Sequence, residues 1–311
     1  MFVIMAPGQG AQTPGMLAGW LRRPERAELV QSWSEAAGCD LIQLGTRAPA
    51  AEIARTEHTQ PLLVAAGLLA LAELADLLAD DGVAAVAGHS VGELTAAAYA
   101  GVLTPTDAIR LAGIRGRAMA AACADAPTSM LAVVGGEEPV VLDRIAELGL
   151  SPATFNGPGQ IVAAGLIADL DRLAASPPPG AAVKPLAVAG AFHTRHMEPA
   201  RATFAAAVAE VPFADPRQLL LSNADGLPIR TGEQARERLV GQLVRPVRWD
   251  RCLTALDALA PTLSVALPPA RTLAGVLKRQ LPHLDVLPVH HERDLDAVRR
   301  RVRGGLIGAG A

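Results

Sequence analysis

Apolar runs of strand length alternate along this chain with stretches that have helical spacing. Residues 2–5 and 84–87 are continuous apolar runs, which is typical of strands buried on both faces. Between them, residues 61–78 are apolar nearly all round and predict a buried helix with its proline in the first turn. A further helix is predicted over residues 105–124, with Thr104 as its N-cap. This alternation favours a mostly parallel sheet with helices on both faces.

The middle of the chain has shorter elements in a different order. Six are predicted as strand, helix, strand, strand, helix and strand, over residues 130–134, 139–148, 152–156, 161–164, 167–175 and 183–188. That order is the βαββαβ motif of ferredoxin-like folds. We therefore predict an inserted subdomain over residues 128–188.

After the insertion the first pattern returns. Strands are predicted over residues 219–222, 263–267 and 284–289, and helices over 231–243, 249–259, 273–280 and 294–303. The predicted fold class is α/β. An α/β-hydrolase-like large subdomain with a mostly parallel sheet takes residues 1–127 and 189–311, and an inserted ferredoxin-like small subdomain takes residues 128–188.

Composition and charge narrow the class of protein. The chain has 311 residues, half of them apolar, which is enough to bury a large core. A net charge of −3 and the lack of a long basic run are not typical of a protein that binds nucleic acid. Cys39, Cys123 and Cys252 have neither metal-ligand nor redox spacing, and no apolar run is long enough for a membrane span. We expect a cytoplasmic monomer with no metal, cofactor, nucleic-acid partner or membrane partner.

A serine follows the second apolar run, at a strand-to-helix turn of the kind that carries catalytic nucleophiles. Gly88, His89, Ser90, Val91 and Gly92 lie between that strand and a helical pattern. The sharp turn exposes the serine hydroxyl beside the free N–H groups and positive end of the helix, which makes Ser90 a candidate nucleophile. Glycines two residues to either side avoid a collision between side chains. An ordinary glycine-rich turn is the alternative.

Other candidates rest on position alone. The N–H of Gln9, in a glycine-rich loop after the first strand, is placed to give an oxyanion hole a second donor. That loop lacks the P-loop and dinucleotide-binding spacings. Of seven histidines, His193 is best placed, at the junction of the predicted subdomains, and His196 is its competitor. Arg115 and Met119 share one helix face, where a solvated arginine is the simpler interpretation of Arg115.

Seven stretches appear together in a recognisable order and spacing. They are PGQGAQ at 7–12, TQP at 59–61, GHSVGE at 88–93, RGRAM at 115–119, NGPGQ at 156–160, GAFH at 190–193 and QLVRPVRW at 242–249. The set resembles the malonyl-CoA:acyl-carrier-protein transacylases of fatty-acid and polyketide synthesis, over essentially the whole chain. The resemblance implies transfer of a malonyl group from malonyl-CoA to the phosphopantetheine thiol of an acyl carrier protein.

The resemblance also implies catalytic roles. Ser90 would accept the acyl group, with His193 as general base and then as general acid for the departing thiolate. The backbone carbonyl of Gln242 would orient the imidazole in place of an aspartate. The backbone N–H groups of Gln9 and Val91 would form the oxyanion hole.

Three residues would select the substrate by the same resemblance. Arg115 would pair with the malonyl carboxylate, because a guanidinium fork matches a carboxylate with two parallel hydrogen bonds. Phe192 and Met119 would shape the acyl pocket, with Phe192 filling the space that an α-methyl group needs. The chain departs from the family at residues 266–271, where relatives have a glycine-proline-glycine and this chain has none.

Several functions stay open at this point. A polyketide-pathway acyltransferase could move a different acyl group. A serine thioesterase would need a triad acid, for which Asp107, Asp125 and Asp143 are available between Ser90 and His193. A degenerate acyltransferase could serve only as a docking module. For an acidic carrier protein, the candidate docking arginines are Arg195, Arg201, Arg236, Arg238, Arg245 and Arg248.

Overall fold

Two β-sheets organise the computed structural model, which describes residues 1–78 and 82–308. The strands in this part of the chain are β1 Phe2–Ala6, β2 Val83–Gly88, β3 Thr128–Gly135, β4 Ser151–Phe155, β5 Gln160–Leu166, β6 Ala181–Pro185, β7 Leu220–Leu221, β8 Pro228–Ile229, β9 Val247–Arg248, β10 Leu263–Ala266 and β11 Asp285–Pro288. The first sheet has the order β11-β10-β1-β2-β7-β8 and the second β6-β3-β5-β4-β9.

Helices cover both sheets. In the described residues they are α1 Pro24–Ala37, α2 Leu41–Thr46, α3 Ala50–Ile53, α4 Thr56–Glu73, α5 Ala75–Leu78, α6 Gly92–Tyr99, α7 Pro105–Ala122, α8 Glu138–Glu147, α9 Ile167–Ala175, α10 Glu198–Ala209, α11 Gly232–Gly241, α12 Trp249–Asp257, α13 Arg271–Gln280 and α14 Leu295–Gly308. None of these helices has the length and apolar character needed to cross a membrane. Parts of the predicted large subdomain, residues 79–81 and 309–311, lie outside the described residues.

The first sheet is built around β1. This strand pairs in parallel with β2 on one side and β10 on the other, and all five of its residues are buried. Phe2 and Ile4 pack into the core that contains α4 and α7, whereas Val3 and Met5 pack into a second core with α12 and α13. Because successive side chains on a strand point to opposite faces, both faces of this sheet are covered by helices. The α/β expectation is thereby confirmed.

The second sheet is mixed. Strands β6, β3, β5 and β4 are antiparallel neighbours, and they enclose a small core of their own with α8 and α9. Strand β9, from much later in the chain, then pairs in parallel with β4, with Thr154 opposite Val247 and Phe155 opposite Arg248. This pairing brings the chain after α11 against the edge of the second sheet, beside the junction of the two sheets.

The predicted start of the buried helix is wrong. Helix α4 begins at Thr56, so Pro61 lies inside it rather than in its first turn. The extra turn is held by tertiary contacts: Thr56 is buried, and the hydroxyl of Thr59 donates to the carbonyl of Ile53 at 2.5 Å. The proline removes only the single N–H bond that would have reached Glu57.

The predicted bounds of the fourth strand of the insertion are also wrong. Strand β6 is Ala181–Pro185 rather than residues 183–188. The N–H of Ala181 closes the preceding proline-rich turn at 3.0 Å, so pairing with β3 begins two residues early. The chain then leaves the sheet, and Leu186 and Val188 line a cavity in front of Ser90 instead.

Candidate active site

The chain turns sharply at Ser90, between β2 and α6. Its φ is +53°, in the left-handed region that most residues avoid. The geometry requires small neighbours: a Cβ on Gly88 would lie 2.1 Å from the carbonyl carbon of Gly92, and one on Gly92 would lie 2.5 Å from the carbonyl oxygen of Ala6. The Ser90 N–H donates to the side-chain oxygen of Asn223 at 2.7 Å. The strained turn is thus held from outside as well as by its own sequence.

The serine hydroxyl lies within hydrogen-bond distance of a histidine. Ser90 Oγ is 2.8 Å from Nε2 of His193, and Nδ1 of His193 is 2.8 Å from the backbone oxygen of Gln242. A carbonyl can only accept, so Nδ1 carries the proton and Nε2 presents a lone pair to the serine. This arrangement has a nucleophile, a base and a group that orients the base.

Neither the competing histidine nor the candidate triad acids reach this pair. His196 lies in a short 3₁₀ turn, not in the following helix as predicted, and its N–H donates to Thr194 Oγ1 at 3.2 Å. Asp107 accepts hydrogen bonds from Thr104 and Arg110, and Asp125 and Asp143 are exposed, whereas His193 is buried. Within the described residues, the hydrogen-bond partner of His193 Nδ1 is the Gln242 carbonyl and not a carboxylate.

Burial keeps His193 neutral. The side chain is 5% exposed, and burial lowers the pKa of His193 from 6.5 to about 3. The nearby positive charge of Arg115 lowers it further, while the hydrogen bond to the Gln242 carbonyl opposes the shift. The imidazole is therefore free to accept a proton at neutral pH.

This shift predicts acid-sensitive stability. The unfolded chain takes up a proton on His193 as the pH falls through 6.5, but the folded chain does not until about pH 3, so stability is complete above 6.5 and is lost between these values. His193→Gln should lack this loss. Between about pH 7 and about pH 4.5, we expect wild type to lose about 2 kcal/mol more than the variant in urea unfolding. Equal losses in the two proteins would contradict the shifted pKa.

A buried guanidinium lies next to the serine. Arg115, on α7, is 2% exposed. Its Nη1 donates to Gln60 Oε1 at 2.8 Å, and its Nη2 donates to Gln242 Oε1 at 2.8 Å and to Ser90 Oγ at 3.3 Å. Burial lowers the pKa of Arg115 to about 10, which still leaves it protonated at neutral pH. These three acceptors are uncharged, so the positive charge has no direct carboxylate partner among them.

Sequence reasoning missed two residues behind the turn. The Asn223 side chain donates to the Gly88 carbonyl at 2.7 Å and accepts from the Ser90 N–H, so it bridges both sides of the turn. Glu93 is 1% exposed, and its carboxylate accepts from the Asn223 N–H and the Gln242 amide. Burial raises the pKa of Glu93 to about 7. Glu93 adjoins the serine motif, but no local signal marks Asn223.

A cavity of about 380 Å³ opens in front of the serine. Six of the predicted site residues line it: Gln9, Ser90, Val91, Met119, Phe192 and His193. Arg115 and Gln242 lie behind them and reach the site through the hydrogen bonds given above. The opposite wall comes from the second sheet and α13, with Ala132, Val162 and Val276 among its residues. All eight predicted residues are therefore gathered at one place.

The walls of the cavity contain backbone donors and apolar side chains. The backbone N–H groups of Gln9 and Val91 meet no acceptor within the described part of the chain. Phe192 is 5% exposed, and Met119 is packed with its sulfur 3.3 Å from the Gln60 amide. His89 Nε2 lies 3.0 Å from Asn156 Oδ1, which links the serine turn to the second sheet.

The sequence is similar to those of known proteins. The acyl transferase domain, as a family, matches residues 2–302. A malonyl CoA-acyl carrier protein transacylase from Mycobacterium tuberculosis is 50% identical over 298 residues, which cover 95% of this chain and 98% of that protein.

Solved structures share the fold. The crystal structure of MCAT from Mycobacterium tuberculosis has a TM-score of 0.92 to this chain at 50% identity, covering 95% of this chain and 98% of that one. A malonyl-transacylase in complex with its type II polyketide-synthase acyl-carrier protein has a TM-score of 0.86 at 30% identity, covering 94% and 97% of the two chains. The sequence and the fold of this chain are therefore both similar to those of transacylases.

Proposed function

Because the chain belongs to the acyl transferase domain family, we propose that it transfers a malonyl group from malonyl-CoA to the phosphopantetheine thiol of an acyl carrier protein. The 50% identical transacylase and the transacylase solved with its carrier protein support this substrate and this partner. The observation that carries the chemistry is the 2.8 Å contact between Ser90 Oγ and His193 Nε2, at the floor of a cavity that can hold an acyl chain.

In the first half-reaction, Ser90 Oγ attacks the thioester carbonyl while His193 Nε2 takes its proton. The backbone N–H groups of Gln9 and Val91 donate to the oxygen that becomes negative in the tetrahedral intermediate. As the intermediate collapses, the carbon–sulfur bond breaks and His193 returns the proton to the leaving thiolate. The products are CoA with a free thiol and a malonyl ester on Ser90.

The second half-reaction runs the same steps with another thiol. His193 takes the proton of the phosphopantetheine thiol, sulfur attacks the malonyl ester, and the proton returns to Ser90 Oγ. A neutral carbonyl on His193 Nδ1 fits this exchange. It fixes the ring as an aspartate would, without adding a charge that raises the imidazole pKa. We propose that the malonyl carboxylate pairs with Arg115 throughout, beside the reacting serine.

The two sheets support the predicted division of the chain. We infer that residues 128–188 form an inserted ferredoxin-like subdomain, because four antiparallel strands, two helices and a separate core fall within them. Residues 1–127 and 189–311 would then form the α/β-hydrolase-like large subdomain, which carries Ser90 and His193. Phe192 and Met119 remain proposed selectors of the acyl group. The monomeric state, the cytoplasmic location and the absence of a cofactor stay predictions from the sequence.

Product partition tests transfer against hydrolysis. The protein is incubated with malonyl-CoA and a carrier protein bearing phosphopantetheine, and malonyl-carrier and free malonate are both measured. We expect malonyl-carrier to dominate, because in the described part of the chain His193 Nδ1 is held by the Gln242 carbonyl and not by the carboxylate of a hydrolase triad. Mostly free malonate would indicate a thioesterase. An absence of any acyl adduct in the intact mass would indicate a docking module without activity.

The candidate docking arginines differ in whether they form an ion pair with another residue of the protein. Four of them are ion-paired within the protein: Arg201 with Glu198, Arg236 with Glu233, Arg238 with Asp225 and Arg248 with Asp250. Arg195 and Arg245 are exposed and have no ion pair with another described residue. These two are the proposed contacts for an acidic carrier protein.

Reversal of one docking charge should therefore affect only the carrier step. We expect Arg245→Glu to raise KM for the carrier protein about 5-fold or more at low salt, with KM for malonyl-CoA unchanged. Arg47→Glu changes an exposed arginine at the end of α2 and serves as the matched control. An Arg245→Glu effect that persists undiminished at high salt, or appears equally for malonyl-CoA, would contradict electrostatic docking at this arginine.

A further inference from the structure

A buried carboxylate lies behind the serine turn, where the proposed reaction gives it no chemical step. Glu93 is in the first turn of α6 and is 1% exposed. One carboxylate oxygen accepts the Asn223 N–H at 3.2 Å, and the other accepts the side-chain amide of Gln242. Both partners are donors, so Glu93 acts as an acceptor on both sides. Burying a carboxylate costs free energy. Any role of Glu93 therefore acts through Asn223 and Gln242, the two residues that donate to it.

The amide of Gln242 has one orientation that satisfies its surroundings. Its Nε2 donates to Glu93 and lies 3.2 Å from both the Ser90 carbonyl oxygen and Asn223 Oδ1. Its Oε1 accepts from Arg115 Nη2 at 2.8 Å. A flipped amide would set its oxygen against three acceptors and its NH₂ group against the guanidinium. Glu93 is the carboxyl group among the three acceptors, and its hydrogen bond with the Gln242 amide opposes the flip most strongly.

The orientation of this amide determines how Arg115 is held. The guanidinium donates to two amide oxygens, Gln60 Oε1 and Gln242 Oε1. Because both are neutral, they leave its positive charge uncompensated. The negative charge of Glu93 lies one amide group farther away, where it opposes the lowering of the Arg115 pKa by burial. A carboxylate paired directly with Arg115 would compensate its charge and occupy its donors. The intervening amide leaves the positive charge unpaired, so that a substrate carboxylate can pair with it.

We propose that Glu93 is a positioning residue for the malonyl group: it fixes the Gln242 amide with its oxygen toward Arg115, and so holds the guanidinium beside Ser90. The inference rests on the proposed malonyl transfer, in which Arg115 pairs with the substrate carboxylate. It assigns Glu93 no contact with substrate. Its effect is confined to acyl groups that carry a carboxylate, which separates it from a general role in the serine turn.

Glu93→Gln tests this assignment with little change in shape. The variant replaces one acceptor oxygen with an NH₂ group, yet the two groups that face it, the Asn223 N–H and the Gln242 amide, are both donors. In either orientation of the new amide the carboxylate acceptor is gone, so the hydrogen bond that holds the Gln242 amide is weakened or lost. Glu25→Gln is the matched control, because Glu25 also lies in the first turn of a helix, α1, but is exposed.

The measurement is kcat and KM for malonyl-CoA and acetyl-CoA, with thermal unfolding of each protein. For Glu93→Gln we expect the ratio of kcat/KM for malonyl-CoA to that for acetyl-CoA to fall about 10- to 100-fold, mainly through KM for malonyl-CoA. The acetyl-CoA values should change much less. The Glu25→Gln control should keep the wild-type ratio.

Two results would overturn the proposal. The first is an unchanged ratio of kcat/KM for malonyl-CoA to that for acetyl-CoA in folded Glu93→Gln. The second is an equal loss of kcat/KM for both thioesters, which disturbance of the serine turn would cause. If Glu93→Gln does not fold, Glu93→Asp takes its place, because the shorter side chain keeps the carboxyl group but reaches less far toward the Gln242 amide. A fall in its ratio relative to wild type supports the proposal, and an unchanged ratio overturns it. Wild type without malonyl preference would refute the proposed function and this inference together. Malonyl preference in wild type with an unchanged ratio in the variant refutes the inference alone.

Discussion

Ser90→Ala is expected to abolish the malonyl adduct and to lower transfer to the carrier protein by at least about 10³-fold. The variant removes the only oxygen that lies 2.8 Å from His193 Nε2 among the described residues, so the imidazole has no proton to take and the thioester meets no nucleophile. Intact-mass analysis after incubation with malonyl-CoA detects the adduct directly, and a carrier-protein assay measures the transfer.

The fold should survive this change, which makes the result interpretable. The N–H of Ser90 still donates to Asn223, and alanine adds no atom to the crowded turn. Ser32→Ala is the matched control, because Ser32 is exposed on α1 and its hydroxyl donates to the Leu29 carbonyl at 2.7 Å. Transfer near the wild-type rate in a folded Ser90→Ala protein would refute the acyl-serine mechanism, whatever its substrate.

The position of Ser90 could be predicted because all of its determinants are local. An apolar strand, two glycines and a helix start occur within eleven residues, and their order alone predicts an exposed serine at a strained turn. The order of elements in the middle segment could also be predicted, because each strand and helix has its own local pattern. The contribution of Gln242 came from a resemblance, because a backbone carbonyl leaves no trace in residue identity.

The parts that could not be predicted depend on distant contacts. Asn223 stabilises the serine turn from 133 residues away, and it lies two residues after a two-residue strand with no motif around it. The early start of α4 depends on contacts of Thr56 and Thr59 with neighbouring helices, which outweigh the preference of proline for a first turn. The pairing of β9 with β4 likewise exists only in the folded protein. Tertiary packing, not local propensity, decided each case.

The second large effect concerns the choice of acyl group. Arg115→Ala is expected to lower kcat/KM for malonyl-CoA by about 10²- to 10³-fold, because a malonyl carboxylate would then be buried without its charged partner. Acetyl-CoA carries no such group, so the preference should move toward it. Arg115→Lys should fall between wild type and alanine, since an ammonium keeps the charge but loses the two-pronged match to a carboxylate.

A neighbour on the same helix separates this effect from simple loss of stability. Arg117 lies two residues along α7, and its Nη1 donates to the Ala37 carbonyl at 2.5 Å rather than to anything in the cavity. Arg117→Ala should therefore lower the melting temperature without changing the ratio of malonyl to acetyl transfer. If Arg115→Ala behaved in the same way, with reduced stability and intact malonyl preference, the buried guanidinium would be a structural brace, and the carboxylate would have to be recognised elsewhere in the cavity.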